Sequence, residues 1–548
     1  MSILIKKRRI VMAGLAFVLL VALAWRLWGV AFGLPALFDL DEPLFVLTAL
    51  KLLKLGTLNP GWFGHPGTTT IYSLAVIVML IFGRGMATGQ FPDANSFTTA
   101  VYADPSIVFL PGRLFIVACG VACVALTFHL ARRLFGDKVG LVAAALLAIN
   151  PLHISLSQLI RTDVHATVFI LLCLVFAVRI PQRGRLQDYV LAGMAVGLAC
   201  ATKWPAATVA TAIAGACALR CFDHPAETRR QIGFLAASGL AMVAALFIAS
   251  PYIFLDFGVV LSNVSGEVKA EHLGATGGGP LYNLYWYVAQ PLRQSIGFAG
   301  LALLLAGILL ALRRSRITRW TLAVATLAFL IVICSQRLIW ARWILPCLPA
   351  FSIFAAVAIV EIARRLGERW GRRMGIVAGS LLFGAVAIPC LVTARADALE
   401  RQTDTRSLAS RWAERHIAAG STVAIEHLAF DLLRQPWTIL YPLGEAGCVS
   451  VTATLKSQID YPTVQRERNG SALIDLGTVS THKLASCRAD YTIVSNYDRY
   501  LAEAGRHPGE LATYRRLLAG TRIVATFRPV RGRIGGPIVR VLARKRAP

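Results

Sequence analysis

Long apolar blocks broken by short basic loops constrain this chain more than any other feature. The blocks fall near residues 10–34, 68–88, 109–131, 138–152, 164–180, 188–202, 204–221, 232–250, 297–312, 319–335, 343–362 and 374–393. A helix needs roughly 20 apolar residues to cross the hydrocarbon core. Only helices satisfy their own backbone groups inside such blocks. The pattern predicts a mainly α fold, a polytopic membrane helix bundle of about 11–13 spans. Composition agrees: 16% of residues are charged and 56% hydrophobic, where soluble domains carry about a quarter charged residues.

The formal net charge is +27, and much of the excess lies in alternating short loops. These are Arg132/Arg133/Lys138, Arg179/Arg183/Arg185, Arg220/Arg229/Arg230, Arg313/Arg314/Arg316/Arg319 and Arg364/Arg365/Arg369/Arg372/Arg373. By the positive-inside rule they mark the cytoplasm. The stretches 155–163, the Lys203 turn, 251–293 and 336–342 then fall outside, as does the chain beyond about residue 394. Lys6-Lys7-Arg8-Arg9 before the first block reads as the cytoplasmic start of an uncleaved helix. One tension follows. Three simple crossings by 10–34, 68–88 and 109–131 would separate the N-terminus from the Arg132 loop, so either 68–88 re-enters or a weak span lies near 97–110. The basic residues form no stripe interleaved with aromatics, so nucleic acid is not the expected partner. The lipid bilayer and anionic lipid are.

The organisation expected is a membrane domain over 1–394, with external loops 36–67 and 251–296, and an external α/β domain over 395–548. In the latter, strand-like runs Thr422–Glu426, Cys448–Thr452, Tyr491–Ser495, Ile523–Phe527 and Ile538–Leu542 alternate with helical stretches Arg406–Ala419 and Pro508–Leu518. Of the 11 cysteines, only Cys448 and Cys487 lie in this region, where an external setting would let them pair.

Chemistry-bearing residues collect on the outer side. Phe38-Asp39-Leu40-Asp41-Glu42-Pro43 follows the first apolar block. Asp41 reads either as a general base on a hydroxyl or as the N-cap of a helix opened by Pro43. His65, in Gly64-His65-Pro66-Gly67, either finishes a turn or contacts a ligand. Arg161 and Asp163 read as an interfacial ion pair or as an anion site with its orienting acid. Lys203 is either a snorkelling lysine or a point charge on phosphate. The stretch 250–293 carries His272, a glycine run and the aromatics Tyr282, Tyr285, Trp286 and Tyr287. These are a lipid-interface belt or a sugar-binding loop. Arg337 and Arg342, beside Trp340 and Trp343, suit phosphate or lipid headgroups. No P-loop, dinucleotide fingerprint, HExxH or nucleophile elbow is present.

The order of these features carries a resemblance. A first helix leads into Asp41-Glu42 and then the His65-Pro66 turn. Arg161-x-Asp163, Lys203 at a helix end, Pro251-Tyr252…Asp256 and Arg342-Trp343-x-Leu345-Pro346 follow. Over roughly residues 10–365 the chain resembles the polyprenyl-phosphate-sugar-dependent glycosyltransferases of the GT-C fold, in particular the protein O-mannosyltransferases and lipid A aminoarabinose transferases. The resemblance implies transfer of a sugar from a polyprenyl-phosphate donor to a hydroxyl of a lipid, glycan or protein acceptor. It would occur at the outer face of a bacterial inner membrane. Asp41 matches the acidic catalytic position and Glu42 completes the pair. Asp163 matches the second acid, and Lys203 and Arg342 the cations near the donor phosphate. Arg161 and Arg337 are further phosphate candidates, and His65, His272, Tyr282 and Tyr285 substrate candidates. A divalent metal is possible within the fold, with Asp41, Glu42, His65 and Asp163 as ligands. The chain departs from the pattern at Gly67, where many relatives have a second proline, and at Trp343, where tyrosine is common. A transporter of lipid-linked sugar or polysaccharide is the alternative. It calls for ionisable residues along the bilayer midplane, whereas here they cluster at one face.

Overall fold

The computed structural model describes residues 2–426, 432, 435–451, 466–467 and 473–545; Thr452, at the end of one strand-like run, lies outside them. Ten helices among the described residues are long and apolar enough to cross a membrane, and an eleventh apolar helix, Leu186–Thr202, is shorter. Small residues let that eleventh helix pack closely. Gly193 and Gly197 lie against the backbone carbonyls of Ser238 and Met242 on the helix Thr228–Ala249. A Cβ at either would collide with main chain, the usual reason for glycines four apart between membrane helices.

The basic loops gather at one end of the bundle. Arg133 donates to Gln182 at 3.2 Å, Arg220 to the Pro181 carbonyl at 3.2 Å, and Arg316 to Asp223 at 2.8 Å. Glu361 collects Arg314, Arg364 and Arg365. At the opposite end, Arg26 closes the first helix by donating to the carbonyls of Ala22 (2.8 Å) and Ala148 (3.1 Å).

The excursion 68–112 starts and finishes at this second end. The Gly67 N–H donates to the Thr202 carbonyl at 3.1 Å, and Arg113 is bonded to Glu42. The segment therefore makes no net crossing, although Thr68–Ala87 is long enough for one. This removes the tension between the N-terminus and the Arg132 loop.

After the long helix Arg372–Gln402 and the helix Thr405–His416 comes a six-stranded mixed sheet. Its strands are β1 (Thr422–Ile425), β2 (Thr438–Pro442), β3 (Cys448–Ser450), β4 (Tyr491–Val494), β5 (Thr521–Phe527) and β6 (Val539–Arg544). Their order is β3-β2-β1-β4-β6-β5. Strand β1 is parallel to both neighbours, with Ala424 opposite Leu440 and Thr492; the outer pairings are antiparallel. Central strands buried on both faces explain the unbroken run Val423-Ala424-Ile425. Cys448 and Cys487 form a disulfide. The region is bonded to the bundle: Arg406 donates to the Phe38 carbonyl at 2.9 Å, and Arg401 to that of Ser155 at 3.0 Å.

Candidate active site

Five charged positions predicted from four separate parts of the sequence meet at the end of the bundle opposite the basic loops. Arg161 precedes the helix Thr162–Ala177 with extended backbone, which frees its side chain to reach across to the loop after the first helix. It is ion-paired with Asp41 through Nη1 and with Asp39 through Nη2, at 2.8 and 3.1 Å to the two Asp39 oxygens. Arg342 approaches the same Asp41 oxygen to 3.9 Å, its guanidinium 4.3 Å over the Trp340 ring. Lys203, at the end of Leu186–Thr202, is ion-paired with Asp163 in the first turn of Thr162–Ala177.

Asp41 occupies the N-cap position of the helix Glu42–Leu55 but makes no capping bond; its carboxylate is turned to the arginines. Its side chain remains 46% exposed, so one face is open to a reactant. Burial works against ionisation, yet Arg161, Arg342 and then His65 hold the carboxyl below the usual carboxylate range. His65 lies 5.5 Å from the Trp62 ring. Desolvation, with Lys203 and Arg342 next, pushes its pKa down to about 4, so the imidazole is neutral at physiological pH.

The adjacent Glu42 has a different environment. It is fully buried, and Arg113 grips both its oxygens at 2.8 and 2.6 Å. The Ile160 N–H donates to it at 3.0 Å. Arg113 also donates to the carbonyls of Val30 and Phe32, at 2.8 and 2.7 Å. Glu42 thus braces the loop that presents Asp41.

Arg161 and Asp163 do not bond to each other; each has another partner. Lys203 is buried and paired rather than reaching outward. Arg337 is exposed, and among the described residues its side chain has no partner. Tyr282 and Tyr285 are 48% and 68% exposed on the helix Pro280–Tyr287, while Tyr287 is the buried member of that run. His272 stands one ring away from the cluster, edge-on to Trp340 at 4.7 Å. Among the described residues, no group of three or more His, Cys, Asp or Glu side chains is placed to hold a metal ion. The carboxylates of Asp41, Glu42 and Asp163 are each already engaged by a cation, which does not fit a shared metal-ligand set.

Asp39 and Arg113 were not singled out from sequence. Both had signals. An aspartate readily accepts from the backbone two residues on, and the Asp41 N–H donates to Asp39 at 3.0 Å, which keeps the two acids together. An arginine inside the apolar block 109–131 demands a partner.

Comparison with known proteins agrees with this architecture. Residues 99–254 match the sequence model of the family described as dolichyl-phosphate-mannose-protein mannosyltransferase, a stretch that holds Arg161, Asp163 and Lys203. Among solved structures, ArnT from Cupriavidus metallidurans bound to undecaprenyl phosphate aligns over 97% of this chain and 97% of its own, with TM-score 0.52 at 14% identity. The oligosaccharyltransferase of Archaeoglobus fulgidus in its apo form aligns over 92% of this chain and 72% of its own, with TM-score 0.50 at 13% identity. No curated protein matches the sequence. The chain therefore shares the GT-C architecture of these membrane glycosyltransferases, as a multi-pass helix bundle, and its residues 99–254 carry the mannosyltransferase family match.

Proposed function

We propose that the chain moves a sugar from a polyprenyl phosphate to a hydroxyl acceptor, with Asp41 as the general base. The observation that carries this reading is one half-exposed carboxylate set against Arg161 and Arg342, beside a buried Asp163–Lys203 pair. The acceptor hydroxyl gives its proton to Asp41 as its oxygen bonds to the anomeric carbon. The bond from that carbon to the phosphate oxygen breaks, and its electron pair leaves with the phosphate. Direct displacement of this kind inverts the anomeric centre. Lys203 and Arg342 hold the phosphate, which is already charged in the bound donor, and keep it as it departs, so most of their contribution is to donor binding. Arg161 adds a buried Nε–H that has no partner among the described residues.

Held by two arginines, Asp41 is a weak base. An anionic donor competes for those cations, so its arrival loosens their hold and raises the basicity of Asp41 when the acceptor needs it. Glu42 serves by bracing the loop. No step requires a metal.

The site faces the exterior of a bacterial inner membrane in this reading. Support comes from the basic loops at the opposite end and from a disulfide in the C-terminal region, which belongs to an oxidising compartment. A compartment-sensitive reporter fused at the C-terminus should be active only outside; a cytoplasmic signal would reverse the orientation. Asp41→Asn tests the chemistry. It should abolish transfer while polyprenyl-phosphate binding is retained, and normal turnover by the variant would remove Asp41 from the mechanism.

A further inference from the structure

One external loop joins the C-terminal region to the site. Leu273, 1% exposed, sits in a small core with Leu476, Val494, Tyr500, Tyr514 and the Cys448–Cys487 disulfide. Arg499 donates to the Leu273 carbonyl at 2.9 Å. The same loop is bonded to the stretch that ends in Arg342. The Ile339 N–H donates to the Ala275 carbonyl at 2.8 Å, and the Gly277 N–H to that of Arg337 at 2.8 Å. Thr276 and Leu338 face each other in an antiparallel bridge. The loop's His272 lies against the edge of Trp340, and the face of Trp340 carries Arg342.

We propose that residues 272–277 are a strap through which the C-terminal region sets the position of Arg342, with Leu273 as the positioning residue. The kinetic part of this proposal rests on the reading of Arg342 as a ligand of the donor phosphate; the mechanical part does not. A cation stacked on a ring is only as well placed as the ring. Trp340 is placed by a backbone pairing whose other strand is pinned by a leucine in a foreign core. A side chain buried this way has one well-packed position, so the strap is held at a fixed height above the bundle. The disulfide braces the core that receives it.

The test uses the full chain in nanodiscs. Leu273→Ser should raise hydrogen exchange in peptides covering 336–343 while leaving 348–362 protected, and Leu273→Met should restore protection. With a polyprenyl-phosphate sugar as donor, Leu273→Ser should raise its KM on the order of 2- to 30-fold, the range for coupling through packed contacts, with kcat little changed. Should Leu273→Ser fail to fold, Arg499→Ala, which removes an exposed side chain and its hydrogen bonds to Leu273 and Asn496, takes its place with the same expectations. Unchanged exchange at 336–343 overturns the strap, as does a rise spread over the whole bundle. Faster exchange with unaltered donor KM overturns its link to Arg342. Absence of transfer in the unmodified protein would count against the proposed reaction, and the exchange result would still decide the strap.

Discussion

Two groups of carboxylates, one at each end of a chain of contacts, show how much the neighbours of an acid matter. Asp39, Asp41 and Asp163 face Arg161, Arg342 and Lys203. Glu426 and Asp475, in the C-terminal sheet region, are both 1% exposed, and among the described residues their hydrogen bonds come from neutral donors. The Ser495 and Asn496 N–H groups donate to Glu426 at 2.6 and 2.7 Å, and Tyr514 caps its other oxygen. Tyr500 and Asn496 donate to Asp475, each at 3.0 Å. The cations keep Asp41 ionised and leave it open on one side. Burial, with Asp475 nearby, pushes the Glu426 carboxyl up to about 7. The first arrangement is ready for charge to arrive and leave. The second closes a core.

The largest effect should come from breaking the first group. Asp41→Asn is expected to lower kcat by about 10²–10⁴-fold, the usual contribution of a general base, while Lys203→Ala chiefly raises the donor KM. Steady-state kinetics with purified donor separates the two, and a common loss of kcat would merge their roles. Since its arginines hold the Asp41 pKa low in the free enzyme, its protonation should impose no acid limb between pH 5 and 8 on kcat/KM, which reports the free enzyme.

A second contrast lies within the dipeptide Asp41-Glu42. Glu42→Gln leaves Arg113 buried without its counter-charge, and breaking such a pair costs about 3–5 kcal/mol. The expected result is loss of folded protein in detergent, read by size-exclusion recovery and thermal melting, before any question of rate. A stable, inactive Glu42→Gln variant would instead give Glu42 a part in the chemistry.

That dipeptide also marks how far the sequence could be read. The bundle was legible because bilayer thickness imposes one length on every span, and the basic loops named their end. Asp41, Arg161, Asp163, Lys203 and Arg342 were each visible as charges at an outer boundary, and the structure brings them together. Which carboxylate met which cation was not legible. Arg161-x-Asp163 suggested a local ion pair, but the extended backbone at Arg161 and the helical turn at Asp163 aim the two side chains apart. For Tyr282 and Tyr285 the sequence left lipid belt and sugar-binding loop open, because aromatics near glycines suit both. Helix phase then turned Tyr287 inward and left those two exposed. Leu273 gave no signal, since a leucine in a polar loop reads as nothing until its foreign core is seen.

The smallest effect should come from the second carboxylate group, and it concerns pH rather than rate. The folded pKa of Glu426, about 7, lies above the ordinary glutamate value of about 4.3. Between those two values the native state holds a proton that the unfolded chain has released. The stabilisation is therefore fully present below the ordinary value and is lost as pH rises through about 7. A tenfold difference in proton affinity between the two states corresponds to about 1.4 kcal/mol, enough to change local opening severalfold. Hydrogen exchange of peptides covering 422–426 and 491–495, corrected for intrinsic pH dependence, should show better protection at pH 5 than at pH 8. Glu426→Gln, which keeps the shape and cannot ionise, should flatten that slope without changing transfer at the distant site. A slope that survives in Glu426→Gln would move the titration to Asp475, whose carboxyl burial likewise pushes up. Protection that improves with pH would mean the sheet region keeps these acids charged, and the contrast with the Asp41 group would fail.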